Sequence, residues 1–551
     1  MDLSLMKGGF TFKKSARPVR LPKGSKNVSE ATTDITPIKA VTESNFSEIE
    51  LDPVEFPYSY IRVLYDNVLN EYIYECIEPP MKDEEWDFVT AIEEELVKKV
   101  QYITIDDKES KVKYLMELAN EVMRSMDIHF SPLVKRRLEY YIRRDFIGYG
   151  IIQIPMIDTQ VEDISCDGVG IPIYIYHRKY GSIRSTLKFT NEKDLDYFVV
   201  WLAQRCGKHI SVSSPMLDAT VPDGSRLQAT LGKYVTKKGS SFTIRRFRDN
   251  PFTPIDMIKF KTASLEMMAY LWLAIESGQS MMVCGGTASG KTTTINAVLL
   301  FIPPQMKIVS IEDTRELNLP HENWVPLLTR SGFGAKNPIT GKSPGEVDMF
   351  DLLTTSLRQR PQYLMVGVVR GAEAFIVFQA MATGKTSYTT FHAESVSAMV
   401  HRMENPPINL PRALMTSLNL VSLQAQVKVG NKMTRRVKGL TEIVGIDPET
   451  NELITNTVYS WNPADDSFTY SGHSYIYEKI ASSKAWSMKD MEKEVKRRAD
   501  VLNYLVLMES KGTREHPFTF KDVAKTVAWY YKEPLVVAEN AKKMLSEEGI
   551  G

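Results

Sequence analysis

The chain has 551 residues, too many for one ordinary core, and its 43% hydrophobic and 25% charged residues suit several globular domains. Lys plus Arg and Asp plus Glu each total 68, so the net charge is zero and no global field argues for nucleic acid as a partner. Four scattered cysteines, Cys76, Cys166, Cys206 and Cys284, form no CxxC pair and read as free thiols, and no apolar run reaches the ~20 residues of a membrane span. Nothing at the N-terminus has the apolar centre of a secretory signal, so the expected location is cytoplasmic.

Residues 1–50 are rich in Lys, Ser, Thr and Pro without a sustained period, which predicts a disordered tail. Within residues 1–26, Lys7, Lys13, Lys14, Arg17, Arg20, Lys23 and Lys26 face only Asp2. That balance suits a solubilising arm, or contact with an anionic membrane surface or an acidic partner. Residues 51–250 are expected to form a mixed α/β domain. Its pattern from about 55 to 145 reads as mostly helical, with amphipathic runs in KVKYLMELANEVMRSM and PLVKRRLEYYIRRDF. Strands follow in PIYIYHR, by alternation, and in VTKKGSSFTIRRF. RDNPFTPIDMIKF, with two prolines, reads as a linker at 251–262. Residues 263–485 alternate strands and helices, the signature of a mostly parallel sheet, and 486–551 read as a charged helical segment.

Gly285-Gly286-Thr287-Ala288-Ser289-Gly290-Lys291-Thr292 fits G-x-x-x-x-G-K-S/T in full, between the apolar run SMMVC and the helical run TTTINAVLLFI. Glycines let the backbone wrap phosphate oxygens, and the helix N-terminus adds positive partial charge. The expected ATP-binding set is therefore Gly285, Gly286, Thr287, Ala288, Ser289, Gly290, Lys291, Thr292 and Thr293. Lys291 is expected on the β and γ phosphates and the Thr292 hydroxyl on Mg2+.

Ligands of a parallel sheet gather beyond the carboxyl ends of its strands. KIVSI ends in Glu312-Asp313, SYTTF in His392-Ala393-Glu394, and YLMVG in Val368-Val369-Arg370, a valine where an acid is expected. Glu312 and Asp313 suit water-mediated Mg2+ binding or orientation of a nucleophile, and with Thr292 make the expected metal set; a solvated turn is the alternative. His392 suits a γ-phosphate sensor or a structural histidine. Arg226, Arg245, Arg246 and Arg248 are either surface strand charges or cations that reach a nucleotide held between domains or subunits.

DISCDGVGIPIYIYHRKYGSI, PMLDATVPDGSRLQATL, GSSFTIRRFRDNPFT, GGTASGKTTTINA, SIEDTRELNLPHENW, SLRQRPQYLMVG, FQAMATG and TTFHAESVSAMVHRMENPPINLPR, in that order, resemble the secretion ATPase superfamily of type II and type IV systems. The likeness is closest to its archaeal branch, the motors of the archaellum and of archaeal type IV pili, and runs from about residue 55 to about 505. The resemblance implies a homo-hexameric ring at the inner face of the cell membrane, working with a polytopic membrane platform protein. It implies an α/β fold in which a RecA-like P-loop NTPase domain follows a mixed α/β N-terminal domain, with ATP between them. The Walker A motif falls on Gly285 to Thr292, the aspartate box on Glu312 and Asp313, and the histidine box on the segment ending at His392. The family's N-terminal arginines match Arg226, Arg245 and Arg248. The tetracysteine zinc module frequent in bacterial pilus relatives has no counterpart.

Two departures stand out. The Walker B segment, usually V-G-E-V-R-G, is Val366-Gly367-Val368-Val369-Arg370-Gly371, and the histidine box, usually opening T-G-H, has Thr383-Gly384-Lys385. Two readings therefore remain: an ATP-hydrolysing motor for archaellum or pilus assembly, in which Glu312 or Glu373 replaces the missing acid, and a hydrolysis-deficient ATP-binding ring subunit or regulator. A DNA-moving ATPase is a third, weakened by the lack of a basic, aromatic-laced stripe.

Overall fold

The computed structural model describes residues 35–38, 41, 44–99, 107–126, 130–248, 250–330, 332, 337, 341–430, 432–510 and 518–547. The basic stretch from Lys7 to Lys26 lies outside the described residues. The chain divides into two units, Met1–Phe247 and Arg248–Gly551.

In the first unit β1 (Phe46–Glu55), β2 (Ser59–Asp66) and β3 (Glu71–Ile77) form an antiparallel meander. Helices α1 (Asp83–Lys99), α2 (Lys108–Ser125), α3 (Pro132–Phe146) and the short α4 (Gln153–Ile157) follow. Then come β4 (Val161–Cys166), β5 (Pro172–His177), β6 (Gly181–Lys188), α5 (Glu192–Arg205), β7 (Met216–Thr220), β8 (Arg226–Thr230) and β9 (Ser241–Arg245). The strands make one sheet in the order β1-β2-β3-β6-β5-β4-β9-β8-β7. Helices α2 and α3 coincide with the two amphipathic runs, capped by Asp107 and Ser131, with Pro132 in the first turn where its missing N–H costs nothing.

The helical expectation from about residue 55 is wrong up to Ile77. Strand β2 is covered on both faces, Ile61, Arg62, Val63 and Leu64 all being buried, so its sequence runs without the alternation that marks a half-exposed strand. The expected tail is also too long. Residues 46–50 belong to β1, Ile35 and Thr36 are buried, and the Thr36 hydroxyl donates to the Tyr58 carbonyl at 2.6 Å.

The second unit opens with α6 (Pro254–Lys259), where a linker was expected. Pro254 takes the first helical position, and Thr253 and Asp256 close a reciprocal capping box, so the prolines mark a helix start. The chain continues through α7 (Leu265–Glu276), β10 (Met281–Gly285), α8 (Lys291–Val298), β11 (Ile308–Glu312), β12 (Trp324–Leu328), α9 (Met349–Arg358), β13 (Tyr363–Val368), α10 (Glu373–Ala382), β14 (Thr386–Phe391), α11 (Val396–Glu404) and α12 (Arg412–Met415). A ribbon of β15 (Leu420–Val429), β16 (Lys432–Ile446), β17 (Leu453–Asn462) and β18 (Ser467–Tyr470) follows. Helices α13 (Tyr475–Lys484), α14 (Met488–Ser510), α15 (Phe520–Lys532) and α16 (Pro534–Glu547) end the described chain.

The sheet order is β12-β11-β13-β14-β10-β15-β16-β17-β18, parallel from β12 to β15 and antiparallel beyond. Strands β10, β11 and β14 are buried at every residue, as a parallel sheet covered on both faces demands. Helix α7 is buried at every residue from Met267 to Ile275, with α14 and α15 packed against it. Trp272 stacks on Phe301 at 5.1 Å and donates to the Tyr531 hydroxyl at 2.8 Å, and that hydroxyl donates to the Phe301 carbonyl at 2.6 Å. Arg498 of α14, 2% exposed, pairs with Glu276 of α7 and with Glu494, and lies 5.2 Å from the Trp272 ring. The architecture is α/β: a mixed N-terminal unit followed by a RecA-like P-loop NTPase unit.

Candidate functional site

β10 runs into the glycine-rich loop and α8 carries the chain away. A Cβ at Gly285 would stand 2.4 Å from the Gln424 carbonyl oxygen and 2.6 Å from Ser289 Oγ, so the strand can approach β15 here only as glycine. Gly290 caps α8 at φ +94°, and Ala288 also lies in the left-handed region at φ +57°. Within the loop Ser289 Oγ donates to the Gly286 carbonyl at 2.9 Å, and Lys291 Nζ donates to the carbonyls of Gly285 at 3.1 Å and Gly286 at 2.6 Å. Burial holds the Lys291 ammonium below its ordinary pKa. Thr292 and Thr293 lie half-buried in the first turn of α8, and Thr287 is exposed at the loop's crown.

β14 lies beside β10, β13 beyond it and β11 beyond that. At one strand spacing each, the end of β13 is roughly 10 Å and that of β11 roughly 14 Å from the end of β10. His392 follows β14, half-buried. Burial first, then the positive charges of Lys291, Arg370 and Arg402, hold its imidazole below the ordinary value, so at neutral pH it offers one N–H and one lone pair.

Val368 ends β13 with no polar atom to offer. Beside it Gly367 forms a bulge against β14, and the Thr390 hydroxyl donates to the Gly367 carbonyl at 2.6 Å. Glu312 of β11 packs against Gly367, where a Cβ would meet its Cγ at 3.4 Å. Glu312 is 2% exposed; Oε1 accepts the backbone N–H of Glu316 at 3.0 Å and of Leu317 at 3.1 Å, while Oε2 is buried without a hydrogen-bond partner. Burial pushes its carboxyl up to about 7, against the pull of the two N–H bonds.

Asp313 is exposed and accepts from the Thr329 hydroxyl at 3.3 Å, so the two adjacent acids differ: one is sunk in the sheet, the other in solvent. Among the described residues no three His, Cys, Asp or Glu side chains gather as a metal cluster. Glu373 is used by its own turn, accepting the N–H groups of Arg370 at 2.5 Å and Gly371 at 2.8 Å. Lys385 stands before β14, at the end away from His392, about 20 Å along the strand from the loop edge.

The arginines divide. Arg226 and Arg245 face each other across the β8–β9 pairing, beside a concavity of about 450 Å³ that Asp163, Tyr174 and Tyr176 also line. Arg226 pairs with Asp218 at 2.6 Å and Arg245 with Asp163 at 3.1 Å. Arg246 donates to the Asp158 carbonyl. Arg248 falls in the second unit, its guanidinium 3.7 Å from the Phe252 ring centre.

Three further residues stand at the loop, and of these the sequence reading reaches only Glu394. A Cβ on Gly286 would lie 3.6 Å from Glu394 Oε1, Gln424 of β15 faces the loop, and Arg435 of β16 donates to the Ala288 carbonyl at 2.9 Å. The strand-end rule that found His392 also reaches Glu394; Gln424 lies in the middle of β15 and Arg435 in β16, and the sheet register alone delivers both.

A family model described as type II/IV secretion system protein matches residues 157–510. An uncharacterized protein of Methanocaldococcus jannaschii, MJ0900, is 37% identical, the match covering 69% of this chain and 68% of the relative. The type IV secretion system protein PtlH of Bordetella pertussis is 31% identical over 43% of this chain and 77% of its own length. Among solved structures, the pilus retraction motor PilT with bound ADP aligns with a TM-score of 0.38 and 16% identity, covering 67% of this chain and 94% of that one. The family match takes in the glycine-rich loop, both acid-bearing strand ends and β16, and by it the chain belongs to the type II/IV secretion system protein family.

Proposed function

We propose that the chain is an ATP-driven motor subunit that powers assembly of an archaellum or related archaeal type IV pilus. It works as a homo-hexamer against a polytopic membrane platform protein at the inner face of the membrane. The observation that carries this proposal is the complete G-x-x-x-x-G-K-T loop, arched at the carboxyl edge of a parallel sheet, in a chain of the secretion family. Lys291 would exchange its two loop carbonyls for phosphate oxygens, and the loop N–H groups and the α8 N-terminus would bind the rest of the polyphosphate. The donor set fits Mg2+ held by the Thr292 hydroxyl and the nucleotide, with Glu312 reaching it through water. When bound, the metal would neutralise charge developing on the β and γ oxygens.

Glu312 is the acid best placed to orient the attacking water, because it packs against Gly367, one residue from Val368, and keeps one oxygen without a partner. It stands one strand further from the loop than Val368, a distance that costs rate. Glu373, committed to two backbone N–H groups, is the weaker candidate. His392 serves as the γ-phosphate sensor, Asp313 supports the outer metal water, and Arg226, Arg245 and Arg248 supply cations to the transferring phosphoryl group.

The second reading, an ATP-binding and hydrolysis-deficient ring subunit, draws on Val368 alone, since a lost general base typically costs about 10² to 10⁴ in rate. Steady-state phosphate release with Mg2+, compared with Lys291→Ala and Val368→Glu, separates the two. Native turnover well above the Lys291→Ala background supports the motor. Turnover that appears only after Val368→Glu supports the hydrolysis-deficient subunit.

A further inference from the structure

We infer that Arg435 is a positioning residue of the phosphate loop, a strut from the β15–β16 ribbon that holds Ala288 in its left-handed conformation. The inference rests on the ATP-site reading above and adds a residue to it. β10 ends at Gly285, in register with Gln424 of β15, and the ribbon continues past it with Gln426 opposite Arg435. The ribbon thus stands beyond the sheet edge, beside the loop. Two of its side chains close on loop carbonyls. Arg435 Nε donates to the Ala288 carbonyl at 2.9 Å, and its Cδ lies 3.3 Å from where a Cβ on Gly290 would be. With its amide nitrogen turned to the loop, Gln424 donates to the carbonyls of Ser289 at 3.2 Å and Gly290 at 3.1 Å.

Ala288 explains why a strut is needed. Its φ of +57° crowds the Cβ against the backbone, a conformation that glycine adopts freely and alanine resists by roughly 5- to 30-fold in population. The arch matters because it decides where the N–H groups of the loop converge. A guanidinium bonded to the Ala288 carbonyl fixes that peptide and favours the arched state before any nucleotide arrives. Through this hydrogen bond the strut also links the loop, by way of β16, to strands β17 and β18 at the far edge of the sheet.

The test is a double-mutant cycle on the full chain, read by titration calorimetry with ATP and Mg2+. Arg435→Ala is expected to weaken ATP binding about 5- to 30-fold in the native background and by less than about twofold in an Ala288→Gly background, where the left-handed conformation no longer needs holding. Equal losses in both backgrounds, or no loss in the native one, overturn the inference. A second readout does not depend on ATP. Hydrogen exchange at the loop amides 286–290 of the nucleotide-free protein should be faster in Arg435→Ala, with the unfolding temperature unchanged. Unchanged exchange, or a matching fall in unfolding temperature, also overturns it. If the native chain binds no ATP, the proposed function fails, and the exchange measurement still decides on the strut.

Discussion

Glu312 sets a pH window in which stability and turnover move in opposite directions. Its carboxyl lies at about 7 in the folded chain against 4.5 for an ordinary glutamate, because burial outweighs the two N–H bonds it accepts. A raised folded-state value favours the protonated form. The stability it contributes is fully present below pH 4.5 and is lost as pH rises through 7, a difference of about 3 kcal/mol. If Glu312 orients the attacking water, kcat/KM, which reports the free protein, rises about tenfold per pH step up to about 7 and then levels.

Glu312→Gln separates these effects from the rest of the chain. The amide oxygen can still accept from Glu316 and Leu317, the volume is kept, and nothing ionises. Urea unfolding of the nucleotide-free protein, followed by tryptophan fluorescence at pH 5 and pH 8, should show the native chain losing most of that ~3 kcal/mol relative to the variant. The variant's kcat/KM should fall about 10²- to 10⁴-fold at pH 8 and lose its dependence on pH. Parallel stability profiles for the two proteins would refute the burial argument. A native kcat/KM midpoint near pH 4.5 would refute the assignment of the base.

Gly285→Ala should abolish ATP binding measured by calorimetry and destabilise the chain by about 1–3 kcal/mol, since its Cβ meets the Gln424 carbonyl oxygen at 2.4 Å and backbone must yield. Arg498→Ala leaves Glu276 and Glu494 without their buried cation and should cost about 3–5 kcal/mol in urea unfolding, with faster proteolysis of α14 to α16. Lys385→His, at the far end of β14 from the loop, should leave ATP affinity and turnover within about twofold. A large gain from that single change would show that the start of β14 communicates with the phosphates.

The phosphate loop, the strand before it, the helix after it and the two amphipathic helices α2 and α3 were legible because each is a local pattern: a glycine spacing, an apolar run, a 3.6-residue period. The family was legible for the same reason, as short segments in fixed order. Strand β2 was not, because burial on both faces erases alternation. Helix α6 was not, because a proline reads as an interruption until the capping box around Thr253 shows it to be a start.

At the site the sequence determined which residue types arrive at the sheet edge, since every parallel strand ends there. Tertiary structure decided what each could do. Strand order put Glu312 beside Gly367 and roughly 14 Å from the loop strand, and burial moved its carboxyl to about 7. Two backbone N–H groups engaged Glu373, and strand length removed Lys385 from the phosphates. Ribbon register, invisible to any local pattern, placed Arg435 on the Ala288 carbonyl. Chain-local chemistry is written residue by residue, whereas proximity between β11 and β13, or between β16 and the loop, exists only once the sheet has closed over the long stretches of chain between them.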